Sequence, residues 1–153
     1  MRFLFSVILA AALTISVSSS SLLAHCEVPC GIYDDHMRIH MIEEHCETIE
    51  KAMAMIRENT ADAQSHADIS QAAQQAIRWV VNKEKHATEI QTIVSQYFLT
   101  QRIKPEQANY GKRLELLHGI MVAAMKSKQT VDSQHVEKIR SLLADFEKIY
   151  FAE

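Results

Sequence analysis

Turn-forming residues are nearly absent from this chain. It has 3 glycines and 2 prolines in 153 residues, and after Gly31 only Pro105, Gly111 and Gly119 remain. A sheet protein needs clusters of such residues to punctuate its strands, so a β-rich fold is excluded and helices are favoured. Aromatic residues are few, at 7%, and no run of five basic residues occurs. The chain therefore lacks both the basic patch and the stacking platform by which nucleic acid is held. Cysteine is scarce and odd in number, with 3 in all, so at least one thiol stays outside any intramolecular disulfide.

What is present begins with a leader. Arg2 precedes an almost unbroken apolar run from Phe3 to Val17, followed by Ser18 to Ser21 and then Leu22-Leu23-Ala24. This is the pattern of a secretory signal peptide over residues 1–24, and the run is shorter than the ~20 apolar residues a spanning helix needs. Cleavage after Ala24 is the expectation. Export would follow, to a periplasmic, extracellular or organelle-lumen compartment, without stable membrane association afterwards. The rest of the chain is long enough for one domain with a real core.

Four helical segments can be drawn beyond residue 33. The first runs from about Asp34 to Asn59, with Ile39, Ile42, Cys46, Ile49, Met53 and Ile56 three and four residues apart on one seam. The second starts near Asp68, which with Gln71 resembles a capping box, and continues to about Thr100. Its apolar face is Ile77, Val80, Val81, Ala87, Ile90, Ile93, Val94 and Tyr97. The third begins at Pro105, a residue suited to a first helical position, with Tyr110, Leu114, Leu117, Met121 and Ala124 inward. The fourth starts near Asp132 or Ser133 and repeats the spacing at Val136, Ile139, Leu143, Phe146 and Tyr150. Short connections favour antiparallel neighbours. The expected fold is all-α: an up-and-down antiparallel four-helix bundle over residues 34–153, preceded by a metal-binding hook at 25–33.

The chemistry concentrates in that hook, His25-Cys26-Glu27-Val28-Pro29-Cys30-Gly31-Ile32-Tyr33. Cleavage after Ala24 makes His25 the first residue, with a free α-amine. Amine, the next amide nitrogen and the Cys26 thiolate then form two consecutive five-membered chelate rings. Cys30 can return to a fourth in-plane position if the chain turns sharply, and Pro29 and Gly31 supply that turn. The His25 imidazole is left for an axial position. A planar set of two nitrogens and two sulfurs suits Ni(II) or Cu(II), whereas zinc prefers a tetrahedron. Strongly donating thiolates and an amide anion stabilise a higher oxidation state, so the set is suited to one-electron chemistry. The competing reading of Cys26 and Cys30 is a structural disulfide in an exported protein.

His25-Cys26-x-x-Pro29-Cys30-Gly31-x-Tyr33 resembles the N-terminal hook of nickel superoxide dismutases, and the match continues into Asp34. Val94-Ser95-Gln96-Tyr97-Phe98 is similar to the end of that family's second helix. The resemblance implies a nickel-containing enzyme, one ion per chain, that disproportionates superoxide to dioxygen and hydrogen peroxide by Ni(III)/Ni(II) cycling. It implies that His25 binds nickel through its amine and imidazole, Cys26 through its amide and thiolate, and Cys30 through its thiolate. It places Tyr33 beside the open axial face, where it positions superoxide and orders water, and Pro29 at the family's cis-proline position. It further implies a homohexamer. The chain departs from the family at Glu27, where Asp is frequent. The glutamate that steadies the axial imidazole has His40, Glu43 and Glu44 near its place, and its partner arginine has Asn82, Arg78 and Lys83. The alternative function is an exported, non-enzymatic Ni/Cu-binding bundle, a carrier or sensor. A third reading is an interaction bundle with a Cys26–Cys30 disulfide and no metal.

Outside the hook the readings are plainer. Cys46 on the first seam is expected to be a buried, inert thiol. His36 and His40, four apart, are read as part of an exposed acidic-basic face rather than as a metal pair. His45, His66, His86, His118 and His135 show no ligand spacing. Met53, Met121 and Met125 fit core stripes, and Met37, Met41 and Met55 fall beside them.

Overall fold

The computed structural model describes residues 27, 29–61 and 66–152. The expected signal peptide, His25, Cys26 and the expected cleavage point lie outside the described residues. Met1–Cys30 and Gly31–Glu153 are separate units, and the helices belong to the second. They are α1 (Asp35–Ala61), α2 (His66–Thr92) continuing as a π-helix (Ile93–Arg102), α3 (Tyr110–Gln129) and α4 (Gln134–Tyr150). Among the described residues there is no strand. α1 packs on α2, α2 on α3, α3 on α4 and α4 back on α1, which closes a four-helix bundle.

The α1 seam is buried as its spacing predicts from Ile39 to Met53: Ile39, Ile42, Cys46, Ile49 and Met53 are at most 1% exposed, whereas Ile56, expected at its end, is only partly buried. α4 buries Val136, Ile139, Leu143 and Phe146 against it. Each such aliphatic side chain contributes about 1.5–3 kcal/mol by leaving water. Two predicted faces need correction. On α2, Ala87, Ile90, Ile93, Val94 and Tyr97 are buried, but Ile77 and Val81 stay 63% and 61% exposed. There the inward positions are Ala76 and Lys83, seven residues apart and on a different side of the helix from Ile77 and Val81. On α3 the inward stripe is Arg113, Leu116, Leu117, Ile120, Ala123, Ala124 and Ser127. Tyr110, Leu114 and Met121 pack at its margin. Met125, expected in the core, is 41% exposed.

Two element boundaries also differ from the sequence reading. α2 begins at His66, so Asp68 lies inside its first turn. Pro105 does not start α3. It lies in a turn in which the Gln107 amide nitrogen donates to the Lys104 carbonyl, while the Gln107 side chain accepts from the Lys104 amide. The chain then passes through Asn109 at φ 56°, a left-handed conformation that Asn tolerates, before the helix opens at Tyr110. At the far end of α3, the Lys83 ammonium donates to the carbonyls of Lys128 and Thr130, both at 2.7 Å. A cation there satisfies groups the helix leaves unpaired and complements its dipole. That explains how a lysine can be 3% exposed.

Candidate metal centre

Of the hook, Glu27 and residues 29–33 are described. Cys30 is an exposed free thiol. Gly31 has φ +77°, a left-handed value that a side chain would strain, so this glycine is required by the backbone. The turn inferred from sequence is therefore seen at Gly31. An exposed thiol after a proline and before a left-handed glycine fits a soft or borderline metal ligand. Among the described residues no group of three or more His, Cys, Asp or Glu side chains gathers as a metal cage.

Asp34 opens α1 as its cap. Its carboxylate accepts from the Met37 amide at 2.9 Å, and its carbonyl accepts from the Arg38 amide. This fixes the chain directly after Tyr33. The next residue, Asp35, is the centre of the polar network. Its Oδ1 accepts from the Tyr97 hydroxyl at 2.6 Å and from Arg102 Nε at 2.8 Å. Its Oδ2 accepts from Arg102 Nη2 at 2.6 Å and from the Tyr150 hydroxyl at 2.9 Å. One carboxylate thus joins α1, the π-helix and α4. Burial would raise its pKa, but the bonds from Arg102, Tyr97 and Tyr150 outweigh that and hold it below the ordinary value. The reciprocal effect falls on the tyrosines. Burial and the bond to Asp35 push the Tyr150 phenol up to about 12 and raise that of Tyr97 as well. Both stay protonated donors near neutrality.

Tyr33 rests on this network. The Arg102 guanidinium lies 4.4 Å from its ring centroid. Tyr97 meets the same ring edge-on, with centroids 5.9 Å apart. Arg38 in turn covers the Tyr97 ring at 5.0 Å. The Tyr33 ring is held on two sides, and no described residue takes up its hydroxyl.

The π-helix explains why Tyr97 and Arg102 can converge on one carboxylate. In an α-helix, residues five apart point about 140° away from each other. Hydrogen bonding from i to i+5 widens the turn and stacks them on one face. The register is visible at Ile103, whose amide donates to the Phe98 carbonyl. It recurs where Thr100 and Gln101 side chains donate to the Ser95 and Gln96 carbonyls. Sequence similarity pointed to residues 94–98 but not to this register, because α- and π-helices use the same residue types.

The remaining sequence candidates separate. His36 stacks on Phe151, with centroids 3.9 Å apart, while His40 pairs with Glu43 at 3.1 Å, so the two histidines have different partners. Lys83 is engaged by α3 and Arg78 is exposed. Cys46 is buried, and that burial pushes its thiol up to about 12. His45 and His86, read as unrelated, come together across α1 and α2.

No curated protein and no solved structure matches the chain. A family model described as nickel-containing superoxide dismutase matches residues 20–153, from just before the hook through α4. The chain therefore belongs to the nickel-containing superoxide dismutase family, oxidoreductases that act on superoxide with a nickel cofactor.

Proposed function

We propose that residues 1–24 are removed on export and that the new amino terminus completes a nickel hook. His25 would bind through its α-amine and imidazole, Cys26 through its amide nitrogen and thiolate, and Cys30 through its thiolate. The free, exposed thiol of Cys30 and the left-handed turn at Gly31 support this donor set. When bound, nickel would supply the one-electron couple, Ni(III)/Ni(II), by which one superoxide is oxidised to dioxygen and another reduced to hydrogen peroxide.

The observation that carries the reading is the state of Tyr33. Its ring is clamped by Arg102 and Tyr97, yet its hydroxyl is uncommitted to any described residue. Tyr97 and Tyr150 donate their hydroxyl hydrogen bonds to Asp35 and are held in that role. Tyr33 is thus the tyrosine of this group with a hydroxyl left to order substrate and water and to pass protons to the departing peroxide.

Assembly through α2 fits the same reading. Ile69, Ile77 and Val81 are large apolar groups exposed along one helix, the kind of surface a neighbouring subunit covers. The family resemblance puts the number at six.

The deciding experiment compares processed protein beginning at His25 with a variant carrying one extra residue before it. The extension turns the terminal amine into an amide. The expected result is about one nickel per chain and nickel-dependent superoxide decay in the first, and loss of turnover in the second. Full activity of the extended protein overturns the proposed ligand set. Tight metal binding with no turnover in the processed protein would instead identify a carrier or sensor.

A further inference from the structure

Two imidazoles from different helices meet on the side of the α1–α2 pair. His45 Nδ1 and His86 Nδ1 are 2.9 Å apart, and the rings are inclined at 67° with centroids 4.9 Å apart. Both residues are half-buried, so the pair is sheltered but reachable from solvent. Neither belongs to the hook or to the network around Asp35.

A neutral imidazole has one N–H and one bare nitrogen. If His45 accepts from His86 at Nδ1, its own proton sits on Nε2; if it donates, Nε2 is the bare atom. In both cases His45 Nε2 is buried with no hydrogen-bond partner. The unpaired Nε2 is thus independent of the tautomer, and what the pair can bind is decided at the two Nδ1 atoms.

The separation has a second meaning. Two metal–imidazole bonds of about 2.0–2.1 Å that meet at a right angle span about 2.9 Å between nitrogens. A tetrahedral angle would require about 3.3 Å. The separation is that of an N–H···N hydrogen bond and equally that of two adjacent ligands of a tetragonal or octahedral ion. Imidazole nitrogen suits copper, nickel and zinc, and the right angle favours the first two.

The electrostatics agree. Burial first, then the neighbouring His86, depress the His45 pKa, which keeps the ring in the neutral, ligating form; Lys85 acts the same way, and Glu89 and Glu44 act against it. Those two carboxylates also favour a divalent cation nearby. Glu89 follows His86 by three residues on α2, which places it on the same side of that helix.

We propose that His45 and His86 form a second metal site, independent of the hook, that takes a divalent copper or nickel ion and bridges α1 to α2. The other coordination positions fall to water, because no third described ligand stands within reach.

The test uses the processed protein with its hook filled by nickel. Copper(II) chloride is added, excess metal is removed, and metal per chain is read by native mass spectrometry. The expected result is a second ion in each chain, with an electron paramagnetic resonance signal split by two imidazole nitrogens. Thermal unfolding should move to higher temperature as copper is added, since the ion binds only the folded pair. H86Q should lose the second ion and the thermal shift while keeping the first nickel and full superoxide turnover. H45Q should behave alike, and H118Q should retain both ions. If H45Q fails to fold, the wild-type titration and H86Q still decide. The proposal is overturned by a chain that takes up no second ion, by copper that merely displaces the nickel, or by a second ion that persists in H86Q with its nitrogen signature intact.

Discussion

Asp35 accepts from three side chains at once, two of them tyrosines and one a guanidinium. Its side chain is 14% exposed, so little water is available to replace those partners. D35A should cost about 2–3 kcal/mol in urea unfolding, because Arg102, Tyr97 and Tyr150 all lose their acceptor. Its pH dependence follows from the depressed pKa. Above the ordinary value of 3.8 the carboxylate is charged in both states, and its full stabilisation is present. As pH falls below that, the unfolded chain takes up the proton first, and stability is lost down through the folded pKa. D35A should therefore flatten the acid limb of the unfolding curve below pH 3.8, the ordinary carboxyl value. Cys46 supplies a contrasting residue. With its thiol at about 12 and no exposure, it should resist alkylation at pH 8 in the folded, nickel-free protein while Cys30 is labelled, as peptide mass mapping would show. The family was legible in the sequence because its motif is contiguous, nine residues from His25 to Tyr33. Cys46 was legible because its spacing puts it on the seam. The role of Asp35 was not, since its partners lie 62 to 115 residues away, nor was the meeting of His45 with a histidine 41 residues on.

The helices themselves were readable where one apolar stripe faces one core, as on α1 and α4. They were less readable where two surfaces compete. On α2, Ile77 and Val81 have the composition of a core face but lie outside it, because apolar spacing does not distinguish the inside of a subunit from a surface another subunit covers. α3 shows a related limit: Arg113 lies within its buried stripe, with its guanidinium 5.3 Å from the Tyr150 ring centroid and donating to the Ile149 carbonyl, a place that polarity alone argues against. The two glycines of α3 separate helix propensity from packing. A Cβ at Gly111 meets nothing within 4 Å, whereas one at Gly119 comes to 3.0 Å from Leu142 Cδ1. G111A should stabilise the protein by about 0.5–1 kcal/mol. G119A should gain the same propensity but force Leu142 aside, leaving it at least about 1 kcal/mol less favourable than G111A. Thermal denaturation of both, with L142A added to the second, measures the difference; a G119A as stabilising as G111A would show that Leu142 yields freely.

At the scale of the molecule, the exposed face of α2 is the surface that assembly would use. I77E/V81E places two charges where a neighbour would pack and should shift native mass towards a single chain, with helix content unchanged. An unchanged oligomer would move the interface elsewhere. The carboxylate of Asp35 has a consequence in time as well as in space. One of its donors, Tyr150, comes from the last turn of α4, while Tyr33 precedes α1. During synthesis the beginning of the bundle emerges first, yet the network around Asp35 on which Tyr33 rests gains its last donor only when the fourth helix has been made. A nascent or truncated product lacking that turn would carry every hook ligand and still have an incomplete clamp. If the proposed hook holds, capture of metal would depend on processing at one end of the chain and support of Tyr33 on the helix at the other.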